Sequence, residues 1–236
     1  MRTVEDLLML GIDTSGKTAS AALYDTENGI FLAQNTLYTQ KTHSQVIMPI
    51  CRDIIAQTGK KIEDVQAVAV ANGPGSYTGL RIGVAAVKAM CFALDCQCCG
   101  VSTLEGMAYN NLQFHGIICS VMKARGELIY ACAYKSDGTK PERLCEERLI
   151  GKTKFSEYLD SLDGDILLCG DGAEDFFTDF PSRTRSLAPP SSILQNAAGI
   201  CLAASDKELY ASEELTVSYL QKVKAEKDLE DKSKNN

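Results

Sequence analysis

The chain repeats the order of its predicted strands and helices, and this repeat constrains the fold more than any other feature. Gly16 and Gly126 are 110 residues apart, as are Tyr24 and Tyr134, and the residues between each pair are similar in character. Both copies predict the order strand, strand, strand, helix, strand. Two such units in one chain predict two related α/β lobes with a cleft between them.

Hydrophobic periodicity and turn residues set the element boundaries in the first copy. Strands are predicted at residues 7–14, 18–24, 30–38, 65–71 and 98–102, and helices at 44–58 and 78–94. Ser44 is the expected cap of the first helix. Pro49 either lies in the first turn of a helix that starts near Met48 or removes one hydrogen bond from a longer helix.

The second copy is predicted to begin after residue 104, which gives lobes at 1–104 and 105–236. Its predicted strands are 117–122, 127–134, 143–150 and 165–169, with a helix at 155–162. A loop at 181–192, a helix at 192–205 and a strand-like segment from residue 214 follow, and this final segment is expected to pack back on the first lobe. Residues 231–236 are expected to form a disordered tail.

Composition favours a cytoplasmic globular protein. Hydrophobic residues make up 45% of the chain and charged residues 23%, with no apolar run as long as a membrane span and no signal-peptide pattern. The net charge of −7 argues against a free-standing nucleic-acid binder, which needs a basic surface. Ten cysteines without a secretory signal indicate reduced, mostly buried thiols, and the run Cys96-Gln97-Cys98-Cys99 lacks the paired spacing of a zinc site.

The segment 72–84 predicts a strand, a tight glycine turn and a helix N-terminus, the arrangement that can hold an anion. The glycines can equally serve only a tight turn and close packing. Together with the end of the first strand, the candidate anion site comprises Asp13, Thr14, Ser15, Gly73, Gly75 and Ser76. A nucleotide site between two lobes needs a second acidic residue from the other lobe, where this chain has Lys123. The site is therefore predicted to be vestigial.

Other candidate catalytic motifs fail on their context. Residues 11–18 read GIDTSGKT and satisfy the Walker A pattern, but a P-loop needs a helix at its Lys-Thr end, whereas Thr18 opens a predicted strand. His43 and His115 are the only histidines, and Ile47 occupies the position at which a helical metal site would place a second one. No third partner is evident for a Ser–His nucleophile. We predict no catalytic residue, no metal and no cofactor.

Small residues leave one face of the helix at 78–94 nearly flat, so that another helix can approach closely. The ordinary alternative is packing on the protein's own sheet. Beside the aliphatic stripe of the helix at 44–58, this face predicts a surface for a partner protein. The predicted interface residues are Val46, Ile47, Ile50, Ile54, Gly79, Arg81, Gly83, Ala86 and Met90.

Three blocks of sequence match one known family. They are HSQ at 43–45 followed by Pro49, NGPGSYTGLRIG at 72–83, and GVSTLE at 100–105. With GIDTS near the start, ARGE at 124–127 and YLQ at 219–221, the chain resembles the TsaB family, also called YeaZ, along nearly its whole length. It departs from the family pattern at Lys123, where an acidic residue is usual, and at Ser218 and Gln221, where proline and arginine are usual.

The resemblance implies an actin-like α/β fold of two ribonuclease-H-like lobes, each with a mixed central sheet. It also implies a non-catalytic scaffold that pairs with TsaD, its catalytic relative, and works with TsaE to add a threonylcarbamoyl group to N6 of adenosine 37 in tRNAs reading codons that begin with A. Contact with tRNA is expected only through the complex, and a homodimer when the chain is alone. The alternative is a stand-alone actin-fold ATPase or kinase that uses Asp13 and the turn at 73–75.

Overall fold

The first lobe is built on a five-stranded mixed sheet. The computed structural model describes residues 7–220, so the predicted tail and Gln221 lie outside the described residues. The strands are β1 (Leu8–Asp13), β2 (Thr18–Asp25), β3 (Ile30–Tyr38), β4 (Ala67–Gly73) and β5 (Gln97–Ser102). They lie in the order β3-β2-β1-β4-β5, with β1 antiparallel to β2 and parallel to β4.

Two helices connect these strands and cover one face of the first sheet. They are α1 (His43–Gln57) and α2 (Tyr77–Leu94). Pro49 lies inside α1, so it does not mark the start of the helix but removes one hydrogen-bond donor from a longer helix. The expected cap at Ser44 is wrong: Thr42 precedes the helix, and its N–H donates to the Gln45 side chain at 3.2 Å. This reciprocal contact between the cap and the third helical residue is available because threonine and glutamine stand three residues apart.

The second lobe repeats this topology, which confirms the predicted duplication. Its strands are β6 (Gly116–Lys123), β7 (Leu128–Ser136), β8 (Glu142–Arg143), β9 (Arg148–Gly151), β10 (Ile166–Cys169) and β11 (Arg185–Leu187). They form a sheet in the order β11-β10-β6-β7-β8, with β9 also paired to β7. As in the first lobe, the opening strand is antiparallel to the second and parallel to the strand that follows the helix.

Four further helices complete the described chain. They are α3 (Thr103–Tyr109), α4 (Lys152–Asp160), α5 (Ala173–Asp179) and α6 (Ala197–Ala204). Both α4 and α5 pack with the second sheet. Helix α6 covers the other face of the first sheet, and α3 packs against both α6 and the second sheet. The packing of α3 on α6 therefore connects the two lobes.

Several predicted boundaries are corrected. The helix expected at 192–205 begins only at Ala197, because Asn196 caps it by accepting the Ala198 N–H at 3.0 Å. The single strand expected at 143–150 is two short strands, and the loop expected at 181–192 contains β11. Residues 215–220 form no strand, although they pack on the first lobe.

Candidate functional site

The end of β1 and the start of α2 are joined by hydrogen bonds. The Thr14 hydroxyl donates to the Gly79 carbonyl at 2.7 Å, and the Ser76 N–H donates to the Ser15 carbonyl at 2.7 Å. Ser76 caps α2 by accepting the Gly79 N–H at 3.2 Å. These bonds bring together the two segments that the sequence predicts as one anion site.

The Asp13 carboxylate bonds to its own turn. Its side chain is buried, and one oxygen accepts both the Ser15 N–H at 2.8 Å and the Ser15 hydroxyl at 2.6 Å. Burial raises the pKa of Asp13 from 3.8 to about 6, although the two bonds from Ser15 act in the opposite direction. Withdrawal from water disfavours a charged carboxylate, so this group is poorly placed to hold an exposed metal–phosphate pair.

The glycines of the turn and of α2 permit close packing within the protein. A Cβ on Gly79 would overlap the Thr14 carbonyl oxygen, and a Cβ on Gly75 would overlap that of Ser15. On Gly83 it would lie 2.5 Å from the Thr14 hydroxyl. Gly73 has a φ of 134°, and a side chain there would meet the carbonyl of Ser218. The glycines therefore fit β1 and the C-terminal segment against the turn and α2.

An open cleft of about 370 Å³ separates the turn from the second lobe. Its lining includes Ser15, Lys17 and Ser76 on one side and Lys123 and Asp171 on the other. The Lys123 N–H donates to the Asp171 carboxylate at 2.9 Å, and its ammonium group lies 2.6 Å from Asp175. Burial raises the pKa of Asp171.

The expectation that the second lobe brings no acidic residue to the cleft is therefore wrong. Asp171 reaches the cleft from the end of β10. The prediction concerned only the end of β6, where Lys123 stands at the position expected for an acidic residue. The signal was present in the sequence, because the predicted strand 165–169 ends in Gly-Asp-Gly, which is typical of a strand end followed by a helix.

In the described part of the chain, no group of three His, Cys, Asp or Glu side chains could hold a metal ion.

The residues predicted for the partner interface lie mostly in the protein's own core. Seven of the nine are buried, which contradicts the exposure that a direct contact needs; they are Val46, Ile47, Ile50, Ile54, Gly79, Gly83 and Met90. The aliphatic stripe of α1 packs on the first sheet with α2. Ala86 is half-buried, and Arg81 is exposed. The partner interface itself stays a prediction.

The outward faces of α1 and α2 instead carry exposed apolar side chains. Phe92 is 84% exposed and Met48 46% exposed, and Ala85 and Ala89 lie on the exposed side of α2. A groove of about 360 Å³ runs beside Met48, and its lining is apolar apart from two cationic side chains. The lining residues are Met48, Cys51, Arg52, Ile55, Ala56, Lys60, Ile62 and Met90.

Helix α2 is long and apolar enough to cross a membrane, but its inner face packs in the core of the first lobe.

Arg81 bonds within the chain at the N-terminal end of α2. Its Nε donates to the Tyr219 hydroxyl at 3.2 Å, and its guanidinium lies 4.3 Å from the centre of the Tyr77 ring. The rings of Tyr77 and Tyr219 stack with their centres 5.3 Å apart. The Ser218 N–H also donates to the Asn72 carbonyl at 2.7 Å. The C-terminal segment is thus bound to the strand–turn–helix element.

Comparison with known proteins gives consistent matches. The family model for TsaD, tRNA N6-adenosine threonylcarbamoyltransferase, matches residues 34–223. The tRNA threonylcarbamoyladenosine biosynthesis protein TsaB of Bacillus subtilis is 32% identical, and that of Escherichia coli 28%, each over 70% of this chain and 71% of the relative. The structure of YeaZ from Pseudomonas aeruginosa superposes with a TM-score of 0.78, at 24% identity over 91% of this chain and all of that one.

The duplicated sheet topology, with a cleft between the lobes, defines an actin-like α/β protein, the fold that the family resemblance implies. The chain belongs to the TsaD family and, within it, to the TsaB (YeaZ) group. The alternative of a stand-alone ATPase or kinase is not favoured by these relatives.

Proposed function

We propose that this chain is a non-catalytic scaffold in tRNA threonylcarbamoyladenosine biosynthesis. The complex it serves would transfer a threonylcarbamoyl group to N6 of adenosine 37 in tRNAs reading codons that begin with A. The observation that carries the proposal is the 32% identity to the Bacillus subtilis TsaB protein, whose name states that biosynthesis, over 71% of its length. The chain would act in the cytoplasm and meet tRNA only within the complex.

The geometry of the cleft supports a role without catalysis. Asp13 directs its carboxylate to Ser15, and Lys123 is paired with Asp175. Lys123 could bind a phosphate only by giving up its pairing with Asp175. A scaffold needs no such site, since its contribution is to hold a catalytic partner.

The proposed partner is TsaD, with TsaE joining the ternary complex, and the same surface would form a homodimer when the chain is alone. We place this surface on the outward faces of α1 and α2. Phe92 and Met48 are its exposed apolar side chains, and the alanines at 85 and 89 leave the face of α2 low enough for a helix to lie on it. Exposed apolar area of this kind is typical of a protein interface.

Co-elution of the chain with TsaD from the same organism tests the placement. A double variant, Ala89→Glu with Phe92→Glu, puts two carboxylates on the apolar face while leaving the core of the lobe unchanged. It should raise the Kd for TsaD at least tenfold, since burying an unpaired charge costs more than the ~1.4 kcal/mol that tenfold represents.

The matched control is Leu128→Glu, which charges an exposed leucine on the second lobe. This variant should bind TsaD as the wild type does. Wild-type affinity of the double variant, with circular dichroism unchanged, would show that the outward face of α2 is not the contact surface.

A further inference from the structure

Cys132 and Cys145 lie opposite each other in the second lobe. β7 and β8 pair with Tyr134 opposite Arg143, and the Leu144 N–H donates to the Ala133 carbonyl at 2.8 Å. Continuing this register by two residues places Cys145, which follows the end of β8, opposite Cys132. Opposed residues of antiparallel strands have Cα atoms about 4.5–5.5 Å apart. This separation lies within the roughly 4.4–6.8 Å that a disulfide can span.

The two cysteines are already in contact. The Cys132 thiol donates to the Cys145 carbonyl at 3.2 Å, and the Ala133 N–H donates to the Cys145 sulfur at 3.4 Å. Little backbone movement is therefore needed for a bond between the sulfur atoms.

The pair is asymmetric in exposure and in acidity. Cys132 is fully buried, whereas Cys145 is partly exposed in the segment between β8 and β9. The neighbouring Cys132 thiol is the main cause that lowers the pKa of Cys145 to about 6, with the Ala133 amide and Arg148 acting in the same direction. The neighbouring Cys145 and burial raise the pKa of Cys132. An accessible thiolate beside a second thiol is the arrangement of an attacking and a resolving cysteine.

We propose that Cys132 and Cys145 form a reversible thiol–disulfide site whose co-substrate is a low-molecular-weight disulfide such as oxidised glutathione. The Cys145 thiolate attacks one sulfur of that disulfide, forms a mixed disulfide and releases one glutathione thiolate, which takes up a proton. Cys132 then attacks the Cys145 sulfur, and its proton passes to the second glutathione, which leaves as the thiol. Two protein thiols are oxidised to one disulfide, and the external disulfide is reduced to two thiols.

The bond would close the loop that contains β8 and hold the following segment on β7. A cross-link of this kind reduces the conformational freedom of the unfolded chain. The oxidised protein should therefore unfold at a higher temperature than the reduced protein.

The test is to equilibrate the full-length protein in buffers of increasing oxidised-to-reduced glutathione ratio. After rapid alkylation, mass spectrometry of the proteolytic peptides should show one linkage, between Cys132 and Cys145, which reduced glutathione reverses. Cys145→Ser should lose it, and Cys132→Ser should accumulate glutathione on Cys145. Cys96→Ser replaces a partly exposed cysteine of the first lobe and should leave the linkage intact.

The peptide map of the wild-type protein tests for the Cys132–Cys145 linkage even if the Cys132→Ser variant, which changes a core residue, fails to fold. Absence of the linkage at every glutathione ratio would overturn the proposal. So would glutathione retained on wild-type Cys145, or a linkage confined to Cys91 and Cys96.

Discussion

At the scale of single residues, Asp13 shows how one motif can support two different functions. An aspartate at the end of the first strand suits a nucleotide site, and the sequence alone permits that role. The structure turns the carboxylate toward Ser15, where burial raises its pKa to about 6. The side chain is thereby a part of the turn that joins β1 to α2.

The raised pKa of Asp13 makes stability depend on pH. The folded chain keeps the Asp13 proton up to a pH of about 6, whereas the unfolded chain releases it near 3.8. This contribution to stability is complete below the lower value and is lost as the pH rises toward the upper one. Relative to Asp13→Asn, the wild type should therefore lose roughly 2 kcal/mol of unfolding free energy between about pH 4.5 and about pH 7.

Urea unfolding at several pH values measures this difference. Asp163→Asn, in an exposed loop, is the matched control, and its difference from the wild type should not vary with pH in the same way. A difference between wild type and Asp13→Asn that is constant, or that grows in favour of the wild type as the pH rises, would refute the assigned environment of Asp13.

At the scale of elements, the glycines of helix α2 determine how closely the helix packs on the end of β1. Gly79 lies against the Thr14 backbone and Gly83 against the Thr14 side chain, so the first turns of the helix contact the end of β1 directly. Glycine in a helix costs about 1 kcal/mol relative to alanine. It occurs at these positions because a side chain would not fit.

Gly79→Ala should therefore destabilise the protein although alanine is the better helix former. The new methyl group would overlap the Thr14 carbonyl oxygen and break the close packing of α2 on β1. We expect a loss of at least about 2 kcal/mol in the free energy of unfolding. Gly151→Ala is the control, since no atom beyond the two neighbouring residues lies within 4 Å of its Cβ position, and its effect should stay below about 1 kcal/mol. Equal effects of the two substitutions would contradict the packing described for α2.

Hydrophobic periodicity predicted the positions of the helices and strands better than it predicted what each of their faces contacts. The spacing of Val46, Ile50 and Ile54 identified α1 and its apolar face, but the same spacing fits a face that meets the protein's own sheet or another chain. Burial on the first sheet settles the orientation. Phe92 was missed as a surface residue because it continues an apolar helix, and only the helix's rotation on the sheet places it outward. The short helices α3 and α5 were missed because seven residues give too few turns for a periodic signal.

At the scale of the whole molecule, duplication was the most informative signal. The 110-residue offset predicted two sheets of the same topology, and β2 and β7 occupy corresponding positions in them. The offset could not reveal that α6 returns to cover the first sheet, since this depends on contacts distant in sequence, such as the Cys201 sulfur facing Gly11. Nor could it show that Asp171 faces the cleft.

The central claim is that the chain supports tRNA modification by holding its partner and not by chemistry in its own cleft. Reconstituted formation of threonylcarbamoyladenosine with TsaD, TsaE, tRNA and a threonylcarbamoyl donor tests it directly. A cleft variant, Lys17→Ala with Asp171→Asn, should keep the rate within about twofold, whereas loss of a catalytic group typically costs about 10²-fold or more. Ala89→Glu with Phe92→Glu should lower the rate at limiting partner concentration. A hundredfold loss in the cleft variant, with TsaD binding unchanged, would contradict the account.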